Sequence, residues 1–187
     1  GKLIRTAALW RLELAGLNLA DGTLMGRVEV DTVRPRLDLD LEGSGFAPDP
    51  EMADAVAALA EAQRLPPGLT GGINLRLATL EWHGMPLRDV RLAASLSGED
   101  TLQVERLAAR LPDEGQISFR GVLSGLSAEP SWRGGLDLSV QNLRGLLERL
   151  GLPLTELAPD RLRSLDGSAD LAWIGRQVTF RDIDLRL

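Results

Sequence analysis

The chain has 187 residues, of which 44% are hydrophobic and 26% charged, with a net charge of −6; that is enough apolar material for one domain or one long sheet. The acidic balance and the lack of any basic tract exclude a nucleic-acid surface or an electrostatic anchor on anionic lipid. With no cysteine there is neither a disulfide framework nor a thiolate metal site, and no run reaches the roughly 18 apolar residues of a membrane span. Gly1-Lys2-Leu3-Ile4 does not open a signal peptide, and strand patterns run up to both ends, so the expectation is one domain over residues 1–187 that belongs to a longer chain.

From the start, Ala7 to Leu14 alternates weakly through Leu9, Leu12 and Leu14, punctuated by Gly16 and then by Asp21-Gly22. Met25, Val28, Val30 and Val33 continue the strand character. Leu37, Leu39 and Leu41 then alternate with Asp38, Asp40 and Glu42, which reads as an apolar face backed by a solvated acidic one. A calcium site needs oxygens that converge, whereas carboxylates on every second residue of a strand diverge along it.

Asp49-Pro50-Glu51 has the form of a helix start: a capping acid, a proline at the first helical position and a carboxylate against the positive end. Met52, Ala55, Val56, Leu59 and Gln63 share a face and Pro66-Pro67-Gly68 ends the run, predicting a helical insert near 50–64.

The stretch from Gly72 to Leu123 carries the plainest pattern. Runs begin at Ile73, Leu87, Leu102 and Ile117, 14 to 15 residues apart, and within them apolar residues fall on every second position, a period that a strand satisfies and a helix does not. His83-Gly84-Met85-Pro86, Ser97-Gly98-Glu99-Asp100 and Pro112-Asp113-Glu114-Gly115 separate them with gaps short enough only for antiparallel neighbours. This predicts a four-stranded meander whose strands, at about ten residues each, reach roughly 30 Å. Leu75, Leu77, Val90, Leu92, Leu102, Val104, Ile117 and Phe119 form its apolar face, while Arg91, Gln103 and Ser118 point the other way.

Leu136, Leu138 and Val140 continue that face. A second helix is predicted over 143–150, with Leu143, Leu146, Leu147 and Leu150 on one side, Asn142 as its cap and Gly151 and Pro153 as its stop. A third helical turn is expected between Leu154 and Leu165, around Pro159. Strands resume at Leu171/Trp173 and Val178/Phe180, with Ile183, Leu185 and Leu187 last. The helices interrupt strand runs, so their apolar stripes are expected to lie over the apolar sheet.

Catalytic groupings are missing from the sequence. One histidine, His83, sits among turn formers and cannot by itself build a triad or a metal cluster. Neither Gly43-Ser44-Gly45 nor Leu123-Ser124-Gly125 fits the Gly-x-Ser-x-Gly spacing of a nucleophile elbow, and no phosphate loop or dinucleotide fingerprint occurs. Asp113-Glu114 and Glu99-Asp100 are read as solvated turn acids and not as an acid–base pair. Trp82 and Trp132 adjoin turns, where they close the ends of the apolar face. No catalytic residue, cofactor or metal is expected, and the eleven apolar residues named from Leu75 to Val140 are the candidate contact surface.

Gly84-Met85-Pro86-Leu87-Arg88-Asp89-Val90, the run from Leu102 to Gly121, and the closing segments 161–171 and 178–187 resemble the repeating unit of AsmA-like proteins. The likeness extends over more than half of the chain. It implies a bacterial envelope protein in the periplasm, tethered by an inner-membrane anchor outside this segment. It also implies a curved sheet with an open apolar groove, acyl chains of lipids as ligands, other envelope proteins as partners, and a part in lipid transport or outer-membrane maintenance. The fold expected is mainly β: a long, twisted antiparallel sheet curled into a half-pipe with two or three short helices, its rival a closed β-sandwich. Too many strands for two short helices to cover favours the open groove; the alternative function is a structural or protein-interaction module with no ligand.

Overall fold

The computed structural model describes residues 2–5, 9–19, 22–45, 68–82, 84–98, 100–125, 131–149, 164–174 and 177–186. The helix expected near 50–64, the helical turn around Pro159 and His83 lie outside them. Period-two segments become strands β1 (Lys2–Arg5), β2 (Leu9–Leu19), β3 (Gly22–Asp31), β4 (Arg36–Ser44), β5 (Thr70–Trp82), β6 (Met85–Ser97), β7 (Thr101–Arg110), β8 (Gln116–Ser124) and β9 (Ser131–Val140). Helix α1 (Leu143–Arg149) follows, then β10 (Leu165–Ile174) and β11 (Gln177–Arg186).

Among the described residues all eleven strands form one sheet in strict chain order, and it is not closed: β1 and β11 are its outermost described strands. The expected meander is present, with β5, β6, β7 and β8 antiparallel in turn. The expectation of a wholly antiparallel sheet is corrected at one junction. β4 and β5 run parallel, with Leu39 opposite Ile73 and Leu41 opposite Leu75. The connection from 45 to 69 is long enough to carry the chain back to the starting end of the strand, which a parallel crossover requires.

Strand alternation is interrupted in a regular way. Apolar residues step by three at Leu14→Leu17, Leu77→Leu80, Leu87→Val90, Val104→Leu107 and Phe180→Ile183. A one-residue slip would turn the rest of each strand inside out, and a β-bulge absorbs it by placing two residues against one. Register shifts fall at four of these steps, between Leu14 and Leu17, between Arg88 and Arg91, between Val104 and Leu107, and opposite Ser168/Asp170 in β11. Gly16, Asp89 and Asp182 take positive φ at the bulges, 136°, 48° and 48°. Gly16 therefore does not end a strand, as its place in the sequence suggested, but lies within β2.

Turns carry their own chemistry. Asp31 Oδ1 accepts the backbone N–H of Val33 at 2.9 Å and of Arg34 at 3.0 Å, so the β3–β4 turn is built on an aspartate side chain. The N–H of Arg34, then that of Val33, holds this carboxyl below its ordinary pKa. Val33, read as strand, stands in that turn at 72% exposure. Between β7 and β8, Asp113 and Glu114 both have positive φ, 57° and 62°, and Gly115 donates to the Pro112 carbonyl at 3.3 Å, the type I′ form that matches strand twist.

α1 is the one helix among the described residues. Its cap is as the sequence predicts: Asn142 Oδ1 accepts the Gly145 N–H at 2.9 Å. Leu143 joins Leu111 and Val140 in a buried cluster, with Leu138, Leu146 and Leu165 packed against it. A second cluster, Leu77, Val90 and Ala109, is flanked by Leu24, Leu75, Leu80, Leu87 and Ile117. Helix α1 thus covers one end of the apolar face near β9.

Candidate functional site

Pairing register shows what the alternation builds. Leu41 lies opposite Leu75, Leu75 opposite Leu92, Leu92 opposite Leu107, Leu107 opposite Phe119, Phe119 opposite Leu136, and Leu136 opposite Ala169. Directly opposed residues point to the same side of a sheet, so a single apolar rung crosses from β4 to β10. A parallel rung runs Leu39, Ile73, Ala94, Val104, Gly121, Gly134, Leu171, Phe180. The bulges keep these rungs in line, because each phase slip in one strand is taken up before it reaches the next.

All eleven candidate residues fall on β5 to β9 and on this face, but their accessibility differs. Val140 is 1% exposed, Val104 4%, and Leu77 and Val90 5%; these four are core. Leu75, Leu92, Leu102, Ile117, Phe119, Leu136 and Leu138 are half-buried, so the surface offered to a ligand centres on the rung through Leu92 and Phe119. Sequence reading did not place Leu107 among the candidates, although it stands between Leu92 and Phe119. The signal was the three-residue step from Val104.

At one rung between β8 and β9 the apolar face has no side chains. Gly121 and Gly134 are opposite each other, and a Cβ on Gly134 would lie 2.0 Å from the Arg120 carbonyl oxygen and 2.6 Å from the Gly121 Cα. Only glycines permit so close an approach of two backbones.

The reverse face is charged. Arg91, Ala108, Ser118, Asp137, Ser168 and Asp184 are successive partners across β6 to β11. An open cavity of about 580 Å³ lies over them, bounded also by Asp89, Arg110 and Asp166. A second, of about 670 Å³, shares Asp89 and Arg91 and extends to Glu42 and Arg76. Within this trough Arg110 pairs with Asp89 at 3.2 Å and Arg120 with Asp137 at 3.1 Å, and Ser118 Oγ donates to Asp137 at 3.3 Å. These pairs are solvated surface contacts.

Toward the other edge, Asp38 accepts from the Arg36 guanidinium and, at 3.0 Å, from the Gly72 N–H. Arg36 first, then the Gly72 N–H, keeps the Asp38 carboxyl below its ordinary pKa against the opposing effect of partial burial. This is a structural tie across the parallel junction. Among the described residues no group of three histidine, cysteine or acidic side chains is placed to hold a metal ion, and no helix is long and apolar enough to cross a membrane. No protein-family model, no curated protein and no solved structure matches the chain.

Proposed function

We propose that this chain is a non-enzymatic envelope protein whose apolar sheet face receives the acyl chains of lipids, serving lipid transport or outer-membrane maintenance in the periplasm. Inner-membrane tethering by a segment outside this chain, and other envelope proteins as partners, belong to the same reading. So does a half-pipe curl of the sheet toward its apolar side. The observation that carries the reading is the unbroken apolar rung from Leu41 to Leu136, backed by a charged face of equal extent. The close approach at Gly121 and Gly134 supports the curl, because a sheet bends most sharply where side chains are absent.

Half-buried leucines along such a rung match the chemistry of an alkyl chain. Each methylene removed from water is worth about 0.8 kcal/mol, so half of an acyl chain laid along the rung would be held. Gentle extraction of the protein followed by mass spectrometry tests this: acylated lipid should accompany the folded protein in near-stoichiometric amount. Lipid-free protein with an intact β-sheet spectrum would leave the ligand-free module as the better account. That second reading has an observation of its own in the exposed apolar residues of β11.

A further inference from the structure

In the middle of the sheet the charged face sets arginine against arginine. Arg76 lies directly opposite Arg91 in the β5–β6 pair, and Arg88 directly opposite Arg110 in the β6–β7 pair. Like charges in directly opposed positions repel, and a sheet loses stability by holding them there. At the second pair the chain supplies its own counter-ion, because the bulged Asp89 reaches Arg110 at 3.2 Å. At the first it does not. Glu42 flanks Arg76 on β4, yet among the described residues Arg76, Arg91 and Arg106 form no ion pair.

These side chains stand around a small floor. Residues on every second position of a strand share a face, so Arg106, Ala108 and Arg110 form a row on the charged side of β7, and Arg91 lies opposite Ala108 on β6. The methyl group of Ala108 fills little of the ground between the three guanidinium groups, and Ser118, opposite Ala108 on β8, is small as well. Arg91, Arg106 and Arg110 all line the cavity of about 580 Å³, and Arg76 and Arg91 line the adjoining one of about 670 Å³. Spaces of several hundred Å³ are of the size that takes a small molecule. All four arginines are exposed, so a ligand reaches them without displacing any part of the protein.

The arrangement selects the ligand's chemistry. A carboxylate presents two oxygens in one plane and matches a single guanidinium fork. Several guanidinium groups around one point match an anion that carries more than one charge and accepts hydrogen bonds in several directions, which is a phosphate group. The chain as a whole is acidic, with a net charge of −6, so the attraction is confined to this cluster. Asp137 and Asp166 lie on the far side of the same cavity and repel a long polyanion that would run on past the arginines.

We propose that Arg91, with Arg76, Arg106 and Arg110 around it, binds the phosphate group of a small, water-soluble phosphate compound on the charged face. This site does not depend on what the apolar face receives.

Isothermal titration calorimetry of the 187-residue chain, at about 0.15 M chloride and about pH 7.5, where phosphate is mostly dianionic, tests the site with inorganic phosphate, phenyl phosphate and acetate. Inorganic phosphate and phenyl phosphate should each bind at one saturable site with a dissociation constant of about 1 mM or tighter, and acetate at least about tenfold more weakly. Which phosphate binds more tightly tells the free anion from an ester, and either order upholds the site. Arg91→Gln and Arg106→Gln should each weaken phosphate binding at least about tenfold. Arg34→Gln removes the same charge from the exposed β3–β4 turn and should change it by less than about twofold. Phosphate should also raise the denaturation midpoint of the parent and not that of Arg91→Gln, with unchanged circular-dichroism spectra showing that the variants are folded. No saturable phosphate binding, acetate bound as tightly as phosphate, or equal weakening by Arg34→Gln would each overturn the proposal.

Discussion

β6 and β11 carry nearly the same six residues and the same bulged aspartate, yet Val90 is 5% exposed and its counterpart Ile183 is 55% exposed. Local sequence sets the bulge and the facing of the side chains in both. Burial comes from the neighbours: Val90 has Leu77 across from it and Ala109 in its cluster, while Ile183 has one adjoining strand. The same motif therefore builds core in the middle of the sheet and an exposed apolar row on its last described strand.

The comparison breaks most visibly under charge. Val90→Asp puts a carboxylate among Leu77, Leu80 and Leu87 and should cost about 3–5 kcal/mol; Ile183→Asp, at an exposed position, should cost about 0.5 kcal/mol or less. Chemical denaturation followed by circular dichroism reads both. Equal losses would mean that β11 is packed as tightly as β6. A smaller effect is expected at the helix cap. Asn142→Ala removes the acceptor of the Gly145 N–H, as well as a 3.4 Å contact from Asn142 Nδ2 to Asp113. It should lower stability by about 1 kcal/mol, and no loss would mean that α1 does not depend on its cap.

Acid sharpens the difference between the parallel junction and the rest of the sheet. Asp38 has a folded pKa below its ordinary value of 3.8, so its contribution is complete above that value and is lost as pH falls through the folded pKa. The pair is largely solvated, which keeps its contribution small. The Asp38→Asn variant should be less stable than the parent at neutral pH, and the gap should close as pH falls through the folded pKa; a gap that does not narrow in acid would assign the effect to packing. The smallest effect is a gain. Glu114 sits at φ 62° in a type I′ turn that favours Asp-Gly, and Glu114→Gly should raise stability by up to about 1 kcal/mol, seen as a higher denaturation midpoint.

Much of this architecture is legible in the residues. Ile73, Leu75 and Leu77 alternate, and Gly84, Gly98 and Asp113-Glu114 mark turns, so the meander needs no tertiary information. At the start of the chain a strand pattern was legible but the bounds of β1 were not, because Lys2–Arg5 is short and charged at both ends and gives alternation little to count. The parallel pairing of β4 with β5 was missed because the eye follows local turns, although the length of the 45–69 connection already permitted it. The bulges were written in the sequence as steps of three, and reading Val104→Leu107 as such a step would have added Leu107 to the candidate face. Accessibility was not legible, because Val140 is closed off by Leu111 and Leu143, which are distant in pattern though near in space.

The account rests on the two faces of one sheet having different partners, and site-specific photo-crosslinking in cells tests that most directly. A photoreactive residue at Leu92, Leu107 or Phe119, half-buried on the apolar rung, should capture phospholipid or another acylated lipid. The same residue at Arg91 or Ser118, on the charged face, should not. Equal capture from both faces, or none from the apolar face of a folded protein, would contradict the account.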